Sequence, residues 1–260
     1  MKKIFNKILK IVKRSTNIYY NSSFYEREDK HKFNNDDVTN CDINTQKYLQ
    51  MQFLKLLPNS TFIGEEGVIN KLGEYTWIVD PIDGTFNYKH DVKIYGTQVA
   101  LLKNGKTIFS CLYLPEHKQM FYACDKGAFL NGKQIFVSSE QELKNMAVNI
   151  GDFQLNYKQT LNTQKQIMLE LCDKVKRIRM FGSSCYDSCQ IANGCMDVYI
   201  VYILNKWDLV PGNFLIRQAG GVLFTNINKN IFIYGNKQNV EKVIKKLNNI
   251  DTFYERDLEF

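Results

Sequence analysis

Residues 77–90 (WIVDPIDGTFNYKH) constrain the fold more than any other stretch of this chain. Residues 76–79 are apolar or β-branched and predict a short buried strand with Asp80 at its end. Because Pro81 holds Asp80 in an extended conformation and cannot continue a strand ladder, we expect the chain to turn there. Asp83 follows in the same turn, and two close carboxylates repel each other unless a hard cation lies between them. Since Asp-x-x-Asp is also common on protein surfaces, the pair alone does not identify a metal site.

Two further motifs lie on either side of this stretch. Residues 64–66 read GEE, and residues 207–212 read WDLVPG and lead to AGG at 219–221. With residues 77–87, these motifs resemble the signatures of the inositol monophosphatase family of metal-dependent phosphatases. The resemblance extends over roughly residues 25–245.

The resemblance implies an α/β fold of the layered α+β kind. The architecture that the resemblance implies is an α-β-α-β-α sandwich of the sugar-phosphatase type, with helices between and outside two sheets. The sequence pattern agrees, because helices and strands alternate in the second half of the chain. No repeat or linker is visible, so we expect one compact unit over residues 1–260. Its N-terminal half, about 1–145, would carry most metal ligands, and 146–260 would form the C-terminal half.

Hydrophobic periodicity and turn residues predict the individual elements. The hairpin signals are Asn104-Gly105 and Asn131-Gly132. Helices are predicted at residues 2–20, 43–57, 162–175, 184–192 and 240–248 and after Asp208, with a further helix starting at Gly84 and Thr85. Strands are predicted at residues 60–63, 76–79, 95–102, 107–114, 119–123, 128–137, 178–181, 197–203, 222–225 and 231–234.

The resemblance also implies a set of metal ligands. Two to three Mg²⁺ ions would be held by Glu65, Asp80, the backbone carbonyl of Ile82, Asp83, Asp208 and Asp42. Oxygen ligands of this kind suit Mg²⁺, which keeps several waters and takes phosphate oxygens. Two of these residues have an ordinary structural explanation as well, because an aspartate at the start of a helix is a common cap. That alternative applies to Asp42 and Asp208.

Catalytic and substrate-binding roles follow from the same resemblance. Thr85 and Asp42 would orient the attacking water, with Glu65 as the third catalytic residue. The amides of Gly84 and Thr85, at a helix start, would face the phosphate, with Asp83 and Asp208 beside it. The segment that would hold the alcohol portion of the substrate is Gly182, Ser183 and Ser184. Both serines are also ordinary helix caps.

Some residues depart from the family pattern. Inositol-cleaving members carry a Glu where this chain has Val201, and Val cannot accept a hydrogen bond from a sugar hydroxyl. Lys206, Lys30 and Lys32 are candidate contacts for a second anionic group, although a solvated lysine is the ordinary interpretation. We interpret His90, which ends the central stretch, as a surface or hydrogen-bonded histidine.

Composition limits the remaining possibilities. No apolar run is long enough to span a membrane, and the basic N-terminal helix is expected to pack on the protein. Seven cysteines without a Cys-x-x-Cys motif fit a reducing cytoplasm. The net charge of +7 is spread along the chain without a nucleic-acid-binding motif, so we expect an anionic substrate and no nucleic acid. The family resemblance adds a homodimer and inhibition by lithium.

The predicted function is Mg²⁺-dependent hydrolysis of a small phosphorylated metabolite by metal-activated water. Inositol 1-phosphate gives the family its name, and 3′-phosphoadenosine 5′-phosphate, fructose bisphosphate and NADP are alternative substrates. An alternative of another class is a non-catalytic scaffold or regulatory protein that binds protein or RNA, as the basic N-terminal helix would suit. The complete set of expected ligands favours the enzyme.

Overall fold

The first half of the chain forms a seven-stranded sheet. The structure is a computed structural model that describes residues 2–20, 39–67, 73–203, 205–226 and 230–257. The strands follow one another in chain order, with one parallel pair, β1 and β2, and antiparallel pairs elsewhere. They are β1 (Thr61–Gly64), β2 (Tyr75–Asp83), β3 (Gly96–Lys103), β4 (Lys106–Leu114), β5 (Gln119–Cys124), β6 (Gly127–Leu130) and β7 (Lys133–Ile135). The helices of this half are α1 (Lys2–Tyr19), α2 (Asn40–Leu56) and α3 (Thr85–Lys89).

The second half forms a six-stranded mixed sheet in the order β13-β11-β12-β10-β8-β9. Its strands are β8 (Ala147–Ile150), β9 (Arg177–Arg179), β10 (Val198–Tyr202), β11 (Val222–Asn226), β12 (Ile231–Gly235) and β13 (Tyr254–Glu255). Its helices are α4 (Lys158–Leu171), α5 (Ser184–Ala192), α6 (Lys206–Gln218) and α7 (Lys237–Leu247).

Three apolar clusters bind the layers together. Side chains of α1 and α2 pack on one face of the first sheet, where Phe53 stacks on Trp77 at 4.3 Å between ring centroids. The α5 and α6 side chains lie between the sheets, together with Tyr199 and Val201 of β10. The alternate residues of β10, including Val198 and Ile200, face α4 and α7 on the outer side. This period-two alternation places one strand in two cores, and it confirms the predicted α-β-α-β-α layering.

The largest departure from the predicted elements lies at Pro81. The chain does not leave the sheet there, since β2 continues to Asp83 and pairs Asp80 with Gln98 and Asp83 with Gly96. The register shifts between these two pairs, as expected where proline lacks a donor. The carbonyl of Pro81 accepts hydrogen bonds from the hydroxyls of Thr97, at 2.8 Å, and of Tyr20. The predicted turn was therefore wrong, and the two aspartates lie on a bulged strand.

Other boundaries differ less. The helix predicted at 162–175 begins at Lys158, and strands β8 and β13 were not predicted. The loop residues Lys30 and Lys32 lie outside the described residues. Among the described helices, none is long and apolar enough to cross a membrane. The first sheet ends at Ile135 and the second begins at Ala147, while the prediction of a single compact unit stays a prediction.

Candidate functional site

Strand β2 and helix α6 bring three aspartates together. Carboxylate oxygens of Asp80, Asp83 and Asp208 all lie within 4.8 Å of one another. Asp208 occupies the first turn of α6, where Asn205 is the N-cap residue and donates its side-chain amide to Asp208 Oδ2 at 3.3 Å. The predicted capping role of Asp208 was therefore wrong. The structure leaves its carboxylate beside those of the other two aspartates.

Asp80 is the most constrained of these groups. It is 2% exposed, and its Oδ1 atom has no hydrogen-bond partner within the part of the chain that the structure describes. Burial raises the pKa of this carboxyl well above its ordinary value, and the negative charges of Glu65, Asp83, Asp208 and Asp42 add to the effect. A buried carboxylate without a donor or a counter-charge is unfavourable. A cation would relieve both the desolvation and the repulsion.

Asp83 is hydrogen-bonded to the start of α5. Its Oδ1 accepts from the backbone N–H and hydroxyl of Ser184, at 3.2 and 2.8 Å. Its Oδ2 accepts from the backbone N–H of Cys185 at 2.8 Å and from the Ser183 hydroxyl. Burial raises the pKa of the Asp83 carboxyl, and these hydrogen bonds oppose the rise. Because Ser183 also caps α5 by accepting from Tyr186 N–H at 3.1 Å, it has its capping role and a contact with the site at the same time.

Asp42 contributes to the site from α2. The N-cap of this helix is Thr39, whose backbone N–H and hydroxyl donate to Asp42 Oδ2 at 2.7 and 2.5 Å. Asp42 is therefore the third residue of a capping box and not the cap itself. Its Oδ1 lies 3.3 Å from the hydroxyl of Thr85, which is also 2.9 Å from the carbonyl of Ile82. Burial raises the pKa of Asp42 to about 6, against the hydrogen bonds from Thr39.

Gln46 holds the acidic loop and was not identified from the sequence. Its side chain donates to the carbonyl of Glu66 at 2.6 Å and accepts from the backbone N–H of Glu66 at 2.9 Å. Glu65 is anchored on the other side, where its N–H donates to Val79 O at 3.3 Å. A Cβ at Gly64 would lie 2.4 Å from Gln46 Oε1, so this contact requires glycine. Asp42, Thr45 and Gln46 are polar residues at buried positions of α2, which distinguishes this helix face from an ordinary apolar one.

The backbone at Gly84 has a left-handed conformation, with φ of 84°, and caps α3. A Cβ there would lie 3.0 Å from the carbonyl of Ile94 and 3.1 Å from Ser183 Cβ, so both conformation and space require glycine. Helix α3 begins as predicted but has only five residues, which limits its dipole. Asn87 of α3 contacts the segment that ends in Gly182, because its side-chain amide donates to the carbonyl of Phe181 at 2.7 Å and to that of Gly182 at 3.4 Å.

Val201, which departs from the family pattern, and Lys206, a candidate contact for a second anionic group, take different positions. Val201 is buried in the core between the sheets and packs on Gly151, where a Cβ would lie 2.7 Å from Val201 Cγ2. Lys206 is the first residue of α6 and is exposed. The structure therefore gives the Val201 position no polar group towards the site.

A model of the inositol monophosphatase family matches residues 2–251. The chain belongs to the inositol monophosphatase family. Members of this family are phosphatases that hydrolyse phosphomonoesters. Relatives agree with the match: inositol monophosphatase 1 of Solanum lycopersicum is 33% identical over 203 residues, covering 75% of this chain and 74% of the relative.

Other relatives carry different names. The fructose-1,6-bisphosphatase/inositol-1-monophosphatase of Thermotoga maritima is 27% identical over 222 residues, covering 83% of this chain and 84% of the relative. A putative Nus factor SuhB of Neisseria meningitidis is 31% identical over 192 residues, covering 73% of each chain. The solved structure of Thermotoga maritima IMPase has a TM-score of 0.83 at 24% identity, covering 96% of this chain and 98% of that one, and it supports the fold alone.

Proposed function

We propose that this protein is a Mg²⁺-dependent phosphomonoesterase that hydrolyses a small phosphorylated metabolite. The observation that carries the proposal is the buried Asp80 carboxyl, whose Oδ1 has no donor among the described residues and whose neighbours are other carboxylates. A structural carboxylate in a core is normally hydrogen-bonded, so this arrangement is better explained by a cation site.

The donor set fits Mg²⁺. All candidate ligands are oxygen atoms, which this ion prefers. Asp80, Asp83 and Asp208 are the nearest to one another, and Glu65, Asp42 and the Ile82 carbonyl lie around them. Both oxygens of Asp83 already accept hydrogen bonds from the start of α5. We propose that these bonds fix the orientation of Asp83 towards the ions, of which the full ligand set would hold two to three.

The chain's own groups can position a water for attack on phosphorus. Bound Mg²⁺ would supply the positive charge that lowers the pKa of a water and neutralises phosphate oxygens. Thr85 directs its hydroxyl hydrogen to the Ile82 carbonyl at 2.9 Å, which leaves its lone pairs available to accept from a water. Asp42 Oδ1 lies 3.3 Å from that hydroxyl and can accept a proton from the attacking water, because its pKa of about 6 leaves it mostly ionised at neutral pH.

The alcohol portion of the substrate would lie beside Gly182, Ser183 and Ser184. Inositol 1-phosphate and fructose bisphosphate are supported by the names of relatives. A related solved structure is described as a dual-specific IMPase/NADP phosphatase, which keeps nucleotides among the alternatives, as 3′-phosphoadenosine 5′-phosphate is. The apolar Val201 argues against hydroxyl recognition at its position.

Phosphate release with Mg²⁺ tests this proposal directly. The panel contains inositol 1-phosphate, 3′-phosphoadenosine 5′-phosphate, fructose 1,6-bisphosphate and NADP. We expect release from at least one substrate, and we expect Asp83→Asn to abolish it. The matched control is Asp187→Asn, because Asp187 on α5 is also buried but its Oδ1 already accepts from the side chain of Asn149. This variant should retain the activity. If folded wild-type protein released no phosphate from any of these substrates, the proposal would be wrong for this panel.

A second candidate is a regulatory or scaffold role in which the chain binds protein or RNA. It is favoured by the name of the Neisseria relative and by α1, whose exposed residues include Lys3, Lys7, Lys10, Lys13 and Arg14. Replacing Lys7 and Lys10 with Gln separates the two candidates. A phosphatase keeps its activity in this variant, whereas a scaffold loses its macromolecular partner.

We propose in addition that the protein is a cytoplasmic homodimer that lithium inhibits, as the family resemblance implies. All seven cysteines are free thiols, which supports a reducing compartment. Mass photometry measures the oligomeric state, and phosphate release in the presence of LiCl measures the inhibition. A monomer, or activity that is insensitive to lithium, would refute the corresponding part.

A further inference from the structure

Phe86 is an exposed aromatic residue next to the candidate site. Its side chain is 62% exposed, although it follows Thr85 directly on α3. The Phe86 ring stacks on the imidazole of His90, with 4.1 Å between centroids and 26° between the planes. Exposed aromatic rings occur elsewhere on this protein, for example at Phe136, which is 61% exposed. What distinguishes Phe86 is that its ring is already stacked on an imidazole and that it follows Thr85 directly, so a planar ligand bound near Thr85 could extend the stack.

His90 supports this ring from one side. Because a carbonyl only accepts, the 2.8 Å contact between His90 Nδ1 and Phe86 O means that Nδ1 carries the proton. The backbone N–H of His90 donates to the same carbonyl at 3.1 Å. The imidazole is thus held in place by its own helix turn. One face of the Phe86 ring lies against His90, and because the side chain as a whole is 62% exposed, we infer that the opposite face can accept a third ring.

Helix geometry places Phe86 between the two parts of the candidate site. Successive residues of an α-helix point about 100° apart. Thr85 contacts Asp42, and Asn87 contacts the segment ending in Gly182. Tyr88, on the remaining side, is fully buried. Phe86 therefore lies on the solvent side, between the direction of the carboxylates and the direction of the Gly182 segment.

We propose that the Phe86–His90 pair stacks the planar base of a nucleotide substrate whose phosphate is cleaved at the aspartate centre. This inference rests on the proposed function and narrows its substrate class to nucleoside phosphates. A base has a π-face that an exposed ring can bind, whereas inositol and fructose have none. Consecutive Cα atoms are only about 3.8 Å apart, so a phosphate beside Thr85 and a base on Phe86 are within reach of one small molecule.

The kinetic test compares 3′-AMP with inositol 1-phosphate at saturating Mg²⁺. We expect Phe86→Ala to lower the ratio of kcat/KM for 3′-AMP to that for inositol 1-phosphate by roughly 5- to 150-fold, the loss typical of one base stack. The loss should be mainly in KM, and Phe86→Trp should restore it. Phe136→Ala is the matched control, because Phe136 is 61% exposed and not near the aspartates in sequence. It should leave the ratio as in wild type.

A binding measurement separates failure of this inference from failure of the proposed function. Saturation-transfer NMR with adenosine, in metal-free buffer, requires neither catalysis nor phosphate. We expect transfer to the adenine protons from wild type and from Phe136→Ala, with loss in Phe86→Ala. Equal transfer in all three proteins, or none in any, would overturn the stacking proposal even if the enzyme is active. A change from dimer to monomer in Phe86→Ala without a change in adenosine binding would assign the ring to a subunit contact and overturn it too.

Discussion

Two carboxyl groups are buried in this protein in opposite ways. Asp80, on the first sheet, is surrounded by acidic groups, and its Oδ1 atom has no donor among the described residues. Asp187, on α5, is 1% exposed, and its Oδ1 accepts from the side-chain amide of Asn149 at 2.7 Å. Burial raises the pKa of both carboxyls well above the ordinary value. In the case of Asp187, the hydrogen bond from Asn149 opposes the rise.

The difference indicates what each region is arranged to do. The Asp187 carboxyl has a donor within the protein, the Asn149 amide, which is how buried polar groups in cores are stabilised, whereas Asn149 Oδ1 itself has no partner among the described residues. The Asp80 centre leaves its carboxyl unsatisfied, which costs stability unless a cation binds. We infer that the Asp80 centre binds a ligand at a cost in the stability of the ligand-free protein, and that the Asn149–Asp187 pair carries no such cost.

The largest expected effect comes from Asp80→Asn. Phosphate release should fall by more than about 100-fold, because the loss of an outer partner of a metal ligand alone costs about 10–100-fold. In metal-free buffer the same variant should be more stable by about 1–3 kcal/mol, since a buried unsatisfied charge is removed. Urea unfolding measures the stability.

Asp187→Asn is the matched change in the other region. Its oxygen can still accept from Asn149, so we expect the activity to be retained and the free energy of unfolding to change by less than about 1 kcal/mol. A second variant, Asp187→Ala, removes the carboxyl to which Asn149 donates. If Asp80→Asn destabilised the metal-free protein as much as Asp187→Ala does, the contrast between the two regions would be refuted.

A smaller effect is expected at Gln46, the amide that clasps Glu66. Gln46→Ala should raise the Mg²⁺ concentration needed for half-maximal activity by about 10–100-fold, with a smaller effect on kcat, because Glu65 is then less well positioned. Asn149→Ala removes the corresponding buried amide of the second region. It should cost about 1–3 kcal/mol of stability without changing the Mg²⁺ requirement. If both variants raised the Mg²⁺ concentration needed for half-maximal activity, the proposed role of Gln46 in positioning Glu65 would be contradicted.

The smallest effect concerns pH. In the metal-free protein, burial raises the pKa of Asp42 from 3.8 to about 6, so the folded state binds a proton more tightly than the unfolded state. Proton binding by Asp42 stabilises the folded state fully when the pH is below the pKa that Asp42 has in the unfolded chain. This stabilisation is lost as the pH rises through about 6. Between pH 5 and 7 the wild type should therefore lose about 1 kcal/mol more than Asp42→Asn, measured by urea unfolding. With Mg²⁺ present, the wild type should instead gain stability relative to Asp42→Asn as the pH rises over this range, because Mg²⁺ binds the ionised form of Asp42.

The layered fold and the positions of the aspartates could be predicted because motif and pattern agree. Residues 76–80 are apolar or β-branched up to the first aspartate, and β2 begins at Tyr75, one residue from the prediction. Two hairpins were also predictable, since Asn104 and Gly105 both have positive φ, at 49° and 79°, as their turn type requires. In these places local preference and tertiary structure point the same way.

Other features depend on contacts that the sequence does not reveal. Strand β8 has only four residues and includes Asn149, a polar residue in a buried strand, whose amide is bonded to Asp187 on α5. At the bulge in β2, the Pro81 carbonyl accepts hydrogen bonds from the hydroxyls of Tyr20 and Thr97, which come from distant parts of the chain. The role of Gln46 could not be predicted for the same reason, because its partner Glu66 lies in a loop twenty positions along the chain. Each of these requires a distant side chain that satisfies a polar atom.

Strand β2 is bonded to residues from both halves of the chain, since Tyr20 donates to Pro81 O and Ser184 donates to Asp83. This arrangement has a consequence for biosynthesis. A ribosome releases the chain from its N-terminus, so Tyr20, Asp42 and Asp80 emerge early, whereas Ser184 and Asp208 emerge in the last third. A nascent or truncated chain that lacks these late residues retains the sequence of the first sheet without the partners of Asp83. On the proposed assignment of Asp83 and Asp208, hydrolytic activity would be confined to chains whose translation has proceeded past α6.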